Sequence, residues 1–583
     1  MFFLTIKRFV KSPVFLTGTI IYFILLYFLL PTHVANVLEG ISNSTLTTVA
    51  FSFIFFAFSS YEFFYRIKIY KLEELVKVSP LGELREKIYG FSFFALLDFV
   101  VYVLFVSISM WGAVEVLGYF NQEWFLMIIK SFFVHHFLVY LFAVLLGMIV
   151  ALINDRILAV GTLTIVFAFF SRILLPIIMF SAANSEERTK ILDIFGIMNR
   201  NYFVLTDLYY NYSYEKVEFQ RIFFWIFLSV AILFFFVLRK RKIECSLGFL
   251  LCAIVCFCLF VQPSGERYVG GDWGAYMEDS QYYSVHWYTV GSSKDYKKIG
   301  RKYREAGFKV LKYSGRISAK RQLETQLDVE VDEPNLEEYC FTLYHGYQVE
   351  KVLDPEGVQL PFEQDIDHIL VRNPQNKNLS VMRFIYSGHS RKYVATSQAV
   401  FLTGNFPYIP YPGFRQYKKE VEDGIYCDND YDLSGLAYQV EYDIEFDTKN
   451  KVYSNLDSKD QIHFSGRTKG ASFFASPFLK TAEIDGATVY YSEIGGEFMP
   501  ANLDQSLKKC ENAIKGRGGI GLKKNLKIFC PGAMGDNETS WYMNEDSIVA
   551  TPYGIEDLVD FYSKNKYVPN LTEQYDMEEQ ETW

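Results

Sequence analysis

From its start to about Val261 the chain is a succession of long apolar runs, and from about Pro263 it changes to short stretches in which apolar and polar positions alternate. Seven of the apolar runs are long enough for a helix to cross a bilayer, which takes roughly 17–25 residues; they lie near Val14–Leu30, Leu46–Tyr65, Phe91–Tyr119, Phe125–Ile153, Ile157–Phe180, Ile222–Leu238 and Ser246–Val261. The first follows Lys7, Arg8 and Lys11, as a secretory signal would, but its apolar run is too long and no small-residue cleavage site follows, so it reads as a retained helix.

The second half predicts strands. Leu327-Asp328-Val329-Glu330-Val331 alternates apolar and charged residues, which places them on opposite faces of a strand. Cys340–Val349, Ile369–Val371, Leu379–Tyr386, Val394–Leu402, Ala437–Phe446, Ile462–Phe464 and Val489–Tyr491 continue the pattern, separated by turn residues. A basic helix is expected over Ser293–Phe308, with a serine cap. The expected fold class is a polytopic α-helical membrane domain with a β-rich sandwich or saddle domain. The boundaries are a membrane domain over 1–262, a linker and juxtamembrane helix over 263–325, the β-rich domain over 326–570 and an acidic tail over 571–583.

Lys and Arg in the short loops set the expected orientation, because they concentrate on the cytoplasmic side. They occur before the first segment (Lys7, Arg8, Lys11), after the second (Arg66 through Lys87), after the fourth (Arg156) and after the sixth (Arg239–Lys242). The turns Thr32–Ser44 and Asn121–Trp124 have none. The N-terminus is therefore expected in the cytoplasm of a bacterial cell, and an odd number of crossings puts the C-terminal domain outside the plasma membrane.

Composition adds little. The apolar fraction of 51% is concentrated in the first half, and the net charge of −9 comes partly from the acidic tail and does not suggest nucleic-acid binding. Cys245, Cys252, Cys256 and Cys258 lie in or beside the seventh segment, where they act as small apolar residues. Cys340, Cys427, Cys510 and Cys530 lie where a disulfide can persist. Cys510–Cys530 is the preferred pair for its short loop, and such a bridge contributes about 3 kcal/mol; four free, buried thiols are the other reading. None of the spacings suits zinc, and no residue set is assigned to a metal.

Ionisable residues inside the apolar segments are costly and so mark candidate functional positions. Glu115 and Lys130 flank the tip of the hairpin between segments three and four, with His135, His136 and Arg172 at comparable depth. Together they either line a path or outer mouth, or form a structural ion pair with residues that reach the interface. Asp98 lies nearer the cytoplasmic side and has no evident partner. In the loop after segment two, Leu72, Leu75 and Val76 fall at helical spacing between charges, Pro80 ends that helix, and a second short helix, Leu81–Tyr89, leads into the membrane. Such a surface helix packs on lipid or on a partner protein. A further surface helix is expected over Glu186–Ile197.

Lys7-Arg8 with Lys11-Ser12-Pro13 before the first helix, and Glu74-Leu75, Ser79-Pro80 and Lys87 before the third, resemble type-2 ATP-binding-cassette exporter permeases. The resemblance covers about residues 1–242 and rests on six helices and their loop lengths; the seventh helix departs from it. It implies ATPase coupling through Glu74, Leu75, Ser79, Pro80 and Lys87. It also implies a separate cytoplasmic ATPase that uses ATP and magnesium, and a second permease chain, identical or different. The chain itself carries no G-x-x-x-x-G-K-[ST] phosphate loop and is expected to bind no cofactor.

Phe341–Val349, Val352, Gly357, Leu360-Pro361-Phe362, Phe384–Gly388 and Leu402–Pro407 are similar, in that order, to the N-terminal β-domain of aminopeptidase N-like zinc peptidases. The H-E-x-x-H zinc motif is absent, and Pro531–Met534 begins a G-x-M-E-N-like run that Gly535–Glu538 breaks. No catalytic residues are assigned and no peptidase activity is expected unless a second chain supplies the metal. Two functions follow: a permease subunit exporting a peptide or other amphipathic cargo, with the external domain binding or shielding it, or a membrane-anchored binding or scaffold protein, including half of a split peptidase.

Overall fold

The computed structural model describes residues 11–29, 37–69, 82–117, 122–171, 193–198, 216–237, 243–261, 304–415, 438–492, 526–530, 541–543 and 546–550, apart from a few single positions, together with isolated residues such as Lys7 and Phe9. The chain separates into two compact units, Met1–Val204 with Tyr212–Pro263 and Leu205–Asn211 with Ser264–Trp583.

The first unit is helical: α1 (Pro13–Leu29), α2 (Val37–Ile69), α3 (Gly82–Leu117), α4 (Gln122–Phe132), α5 (Val139–Val150), α6 (Arg156–Phe170), α7 (Lys216–Val237) and α8 (Ile243–Val261). A π-helical turn, Phe133–Leu138, joins α4 to α5. Among the described residues, five stretches are long and apolar enough to cross a membrane, Thr48–Ile69, Arg85–Trp111, Phe133–Val150, Glu218–Phe236 and Ile243–Val261. Two shorter apolar helices, Phe15–Leu26 and Arg156–Phe170, fall on the first and fifth expected segments. The expected short helix over Leu81–Tyr89 is not a separate element: α3 runs unbroken from Gly82.

α2 and α5 pack together; α5 also contacts α3, α6 and α7, and α8 lies against α7. Side-chain hydrogen bonds join these helices. Ser60 Oγ donates to the Val144 carbonyl at 2.9 Å between α2 and α5, and Ser246 Oγ donates to the Ala231 carbonyl at 2.8 Å between α8 and α7. α6 begins at Asp155, whose carboxylate accepts the Ile157 and Leu158 amides at 2.8 and 3.0 Å and so satisfies two of the helix's first donors.

The second unit is built of strands β1 (Val310–Ala319), β2 (Leu323–Val331), β3 (Glu338–Thr342), β4 (Tyr347–Leu353), β5 (Phe362–Asp365), β6 (His368–Arg372), β7 (Val381–Gly388), β8 (Val400–Leu402), β9 (Tyr411–Pro412), β10 (Val440–Asp447), β11 (Val452–Ser454), β12 (Asp457–Ser458), β13 (His463–Thr468), β14 (Phe473–Ala475), β15 (Leu479–Ile484), β16 (Ala487–Ser492), β17 (Lys527–Cys530), β18 (Trp541–Met543) and β19 (Ser547–Ala550). They form a seven-stranded sheet in the order β12-β13-β10-β1-β2-β7-β4, a four-stranded sheet β5-β6-β3-β9, a three-stranded sheet β11-β14-β8 and a five-stranded sheet β15-β16-β17-β19-β18. One hydrophobic core draws side chains from all four sheets. In β2 the pattern is obeyed position by position, with Leu327, Val329 and Val331 buried between half-buried or exposed neighbours.

Four expectations change here. β1 lies inside the expected linker, where it pairs in parallel with β10, Lys312 beside Glu441 and Arg316 beside Glu445. Residues 304–308 are not helical: Arg304 bridges to Phe414, with N···O distances of 3.0 and 2.8 Å. The strand expected over Cys340–Val349 breaks into β3 and β4 at a turn where a Cβ on Gly346 would lie 2.1 Å from the His389 carbonyl oxygen. In the Val394–Leu402 run only Val400–Leu402 is a strand.

The turn into β13 is pH-sensitive. The Asp460 carboxylate accepts the Ile462 and His463 amides at 3.0 and 2.8 Å and lies 2.6 Å from His463 Nδ1. The hydrogen bonds from the His463 amide and ring hold Asp460 well below the usual carboxylate range, and the same ring contact followed by the Asp460 charge raises His463. A raised histidine contributes fully below its unfolded pKa and loses its contribution as pH rises through the folded one; the depressed carboxylate loses its contribution as pH falls through its folded value. The turn is therefore tightest from mildly acidic to near-neutral pH. Histidine-selective NMR of the full chain in nanodiscs should find His463 titrating above about 6.5. Asp460→Asn should return it to that value; an unshifted His463 in the parent protein refutes the pairing.

Candidate functional site in the helical unit

The basic segments meet at one end of the bundle. Arg66, at the end of α2, donates from Nε to Glu62 Oε1 at 2.8 Å, and its Nη1 lies 3.4 Å from Ser12 Oγ. Its guanidinium also covers the Phe15 ring, 5.6 Å from the centroid. Arg156, at the start of α6, reaches Glu62 Oε2 at 3.6 Å. Lys68 Nζ donates to the Leu152 carbonyl at 3.0 Å and Tyr65 Oη to the Asn154 carbonyl at 3.3 Å. Glu62 thus serves arginines from two helices, and Arg66 and Lys68 at the end of α2 meet Ser12 just before α1 and the turn between α5 and α6. These pairs are partly exposed, so each contributes at most about 1 kcal/mol; their value is in locating the ends of three helices together.

A second polar group lies deeper. Phe94, Asp98, Val101 and Phe105 form one buried stripe on α3, so Asp98 occupies a position where helical spacing calls for an apolar residue. It is equidistant from the two ends of the apolar Arg85–Trp111 stretch. His136 is also fully buried, its Nδ1 2.7 Å from Tyr140 Oη and its ring between those of Phe105 and Phe132, with centroids 4.6 and 4.5 Å away.

Of the ionisable residues singled out in the sequence, His136 enters this buried group, His135 is half-buried beside it and Lys130 is exposed. Glu115 lies on α3, but its side chain, like all of Arg172, falls outside the described residues. Glu74, Leu75, Ser79 and Pro80 also fall outside them, while Lys87 is half-buried near the start of α3. The pattern of charges did not single out the Glu218–Arg221 pair on the first turns of α7, which is almost wholly buried. Their spacing of three residues on a helix is a signal that would have found it.

In the β-rich unit the histidines have structural partners. Asp367 Oδ1 accepts the His345 amide at 2.7 Å and lies 3.1 Å from its Nδ1, and His368 Nε2 lies 2.9 Å from the Arg415 carbonyl. Among the described residues, no three His, Cys, Asp or Glu side chains converge to hold a metal ion. Cys340 and Cys530 are free, buried thiols. Burial pushes Cys530 up to about 12, which leaves it unreactive. Cys427 and Cys510 lie outside the described residues.

No protein-family model matches this chain. No curated protein matches it either. Among solved structures it is similar to the M1 zinc metallopeptidase from Deinococcus radiodurans, with 12% identity over 44% of this chain and 64% of that one and a TM-score of 0.28. It is likewise similar to yeast LTA4 hydrolase in complex with bestatin, with 12% identity over 44% of this chain and 43% of that one and a TM-score of 0.29. The native Saccharomyces cerevisiae leukotriene A4 hydrolase matches at 13% identity over 42% of this chain and 41% of that one, with a TM-score of 0.28. The chain therefore spans less than two thirds of the proteins it matches.

Proposed function

We propose that this chain is the membrane-spanning permease subunit of an ATP-driven exporter of a peptide or other amphipathic cargo, its β-rich unit binding or shielding that cargo outside the cell. The observation that carries this reading is the convergence of the basic segments around Glu62, which gathers the start of α1, the end of α2 and the start of α6 at one end of the bundle. By the distribution of Lys and Arg that end is cytoplasmic, and it is where the loop between α2 and α3 begins and ends. An ATPase seated on that loop pushes on two helices that run unbroken through the bilayer. The placement of α8 against α7 agrees with an appended seventh crossing around a six-helix core.

The test is affinity purification of the full-length protein in mild detergent, with mass spectrometry and an ATPase assay. A stoichiometric ATPase and a second permease chain are expected, and Glu74→Ala should weaken stimulation of the ATPase by at least several-fold. A stable preparation with no ATPase overturns the reading.

The continuous core of the β-rich unit favours a second reading, a membrane-anchored binding protein or half of a split peptidase. Deleting residues 265–583 separates the two: activity that survives the deletion removes the second reading. A co-purifying chain with H-E-x-x-H and no ATPase supports it.

A further inference from the structure

A layer of polar side chains crosses the helical unit at mid-height. Tyr22 in α1, Ser52 in α2, Asp98 in α3 and His136 in the π turn each lie close to the middle of their own helical run, and Tyr140 follows His136 by one turn. Tyr22 Oη and Ser52 Oγ are 2.9 Å apart, and His136 Nδ1 and Tyr140 Oη 2.7 Å apart. These two pairs and Asp98 lie on elements that pack together, since α3 contacts α2, the π turn and α5.

Both Asp98 carboxylate oxygens and His136 Nε2 are buried with no hydrogen-bond partner among the described residues. A carboxylate in the hydrocarbon region is costly unless something neutralises it. Among the described residues, the elements packed on α3 place no hydrogen-bonded or ion-paired partner on it. α2 offers Ser52, while its Tyr61, Glu62 and Arg66 lie more than two turns further along. α5 offers Tyr140, and α4 offers Lys130, which is exposed. The π turn brings His136, bonded to Tyr140, and His135, half-buried. α1 adds Tyr22, and on α3 itself Tyr102 donates to the Ile129 carbonyl at 3.1 Å. No metal-holding group of three ligands is present among the described residues. A proton needs neither a cage of ligands nor a cavity. The π turn is a further sign, since single π turns inside α-helices are frequent at functional sites.

The geometry points to Asp98, on the layer that holds the Tyr22–Ser52 and His136–Tyr140 pairs, as a proton-binding site in the middle of the membrane. One proton added to one Asp98 oxygen converts the carboxylate into a neutral acid able to donate a hydrogen bond, and its release restores the anion; no other bond is made or broken. The inference rests on the membrane-spanning reading of the helices and not on an ATPase partner.

Infrared difference spectroscopy of the full chain in lipid nanodiscs, between about pH 4 and about pH 9, tests it. A protonated-carboxyl C=O band that responds to pH is expected, absent from Asp98→Asn. The band should move in Tyr140→Phe and His136→Gln, which retain Asp98 and so report on the site even if Asp98→Asn fails to fold. No pH-responsive carboxyl band in the parent protein, a band that persists in a folded Asp98→Asn, or one indifferent to both Tyr140→Phe and His136→Gln overturns the site. None of these readouts needs an ATPase, so their failure leaves the exporter reading intact, and absence of an ATPase leaves the proton site intact.

Discussion

Gly147→Leu is expected to prevent the helical unit from assembling. Gly147 sits where α5 crosses α2, and a Cβ there would lie 2.3 Å from the Ala57 carbonyl oxygen, 2.8 Å from the Tyr61 nitrogen and 2.9 Å from the Ser60 Cβ. Two of those atoms are backbone, so no rotamer change relieves the clash; the helices must separate. Separation would also stretch the 2.9 Å bond from Ser60 to the Val144 carbonyl, one turn before Gly147. Overpacking a well-filled site costs about 1–3 kcal/mol for small additions, and a leucine at a backbone contact exceeds that range. Monodispersity in detergent and the thermal unfolding midpoint are the readouts. Gly147→Ala should lower the midpoint by several degrees and Gly147→Leu should leave mostly aggregate. Gly161→Ala and Gly248→Ala, on α6 and α8 with nothing within 4 Å of the added methyl, should be neutral or slightly stabilising. Equal tolerance at all three positions would contradict the crossing.

Phe473→Ala should unfold much of the β-rich unit's core. Phe473 is fully buried on β14 and meets Phe446 and Phe464, on two strands of the seven-stranded sheet, at centroid distances of 4.8 and 5.5 Å, and Tyr408 at 6.3 Å. Its neighbour Phe474 points the other way, toward Phe529 on β17 at 4.4 Å and Phe401 on β8 at 5.5 Å. The alternation of one short strand thus joins three sheets. Removing a buried phenylalanine costs about 3–5 kcal/mol, and the unfolding midpoint of the unit should fall by roughly 10 °C. Phe473→Leu should lose less than half as much. A shift of only a degree or two for Phe473→Ala would mean that β14 does not tie the sheets together.

The helical half and the strands with clean alternation were legible because their signal is local. An apolar run of bilayer length predicts a helix whatever surrounds it: five described stretches have spanning length, and two shorter apolar helices fall on the first expected segment and on the first part of the fifth. β2 and β10 were legible because one face of each is buried and the other is mostly charged, and β7 because buried positions alternate with more exposed ones. β1 was not, since its parallel partner β10 lies far away in sequence and its residues fell in the expected linker. The polar groups were half legible. His136 and Asp98 stood out as ionisable residues in apolar runs, but Tyr22, Ser52 and Tyr140 did not, because a tyrosine or serine in a membrane helix is unremarkable until its hydroxyl is seen to face a partner.

By itself the sequence determined the division into a half of long apolar helices and a strand-rich half, and which loops carry positive charge, since each depends on length, composition and period along the chain. Only the tertiary structure decided that Arg66 and Arg156 share Glu62, that Gly147 brings α5 against α2, that β1 lies beside β10, and that Asp98 is buried with no hydrogen-bond partner among the described residues. These facts depend on which residues of different segments approach one another. Helix rotation, crossing points and strand partners set that, and none of them is encoded in any one segment's periodicity.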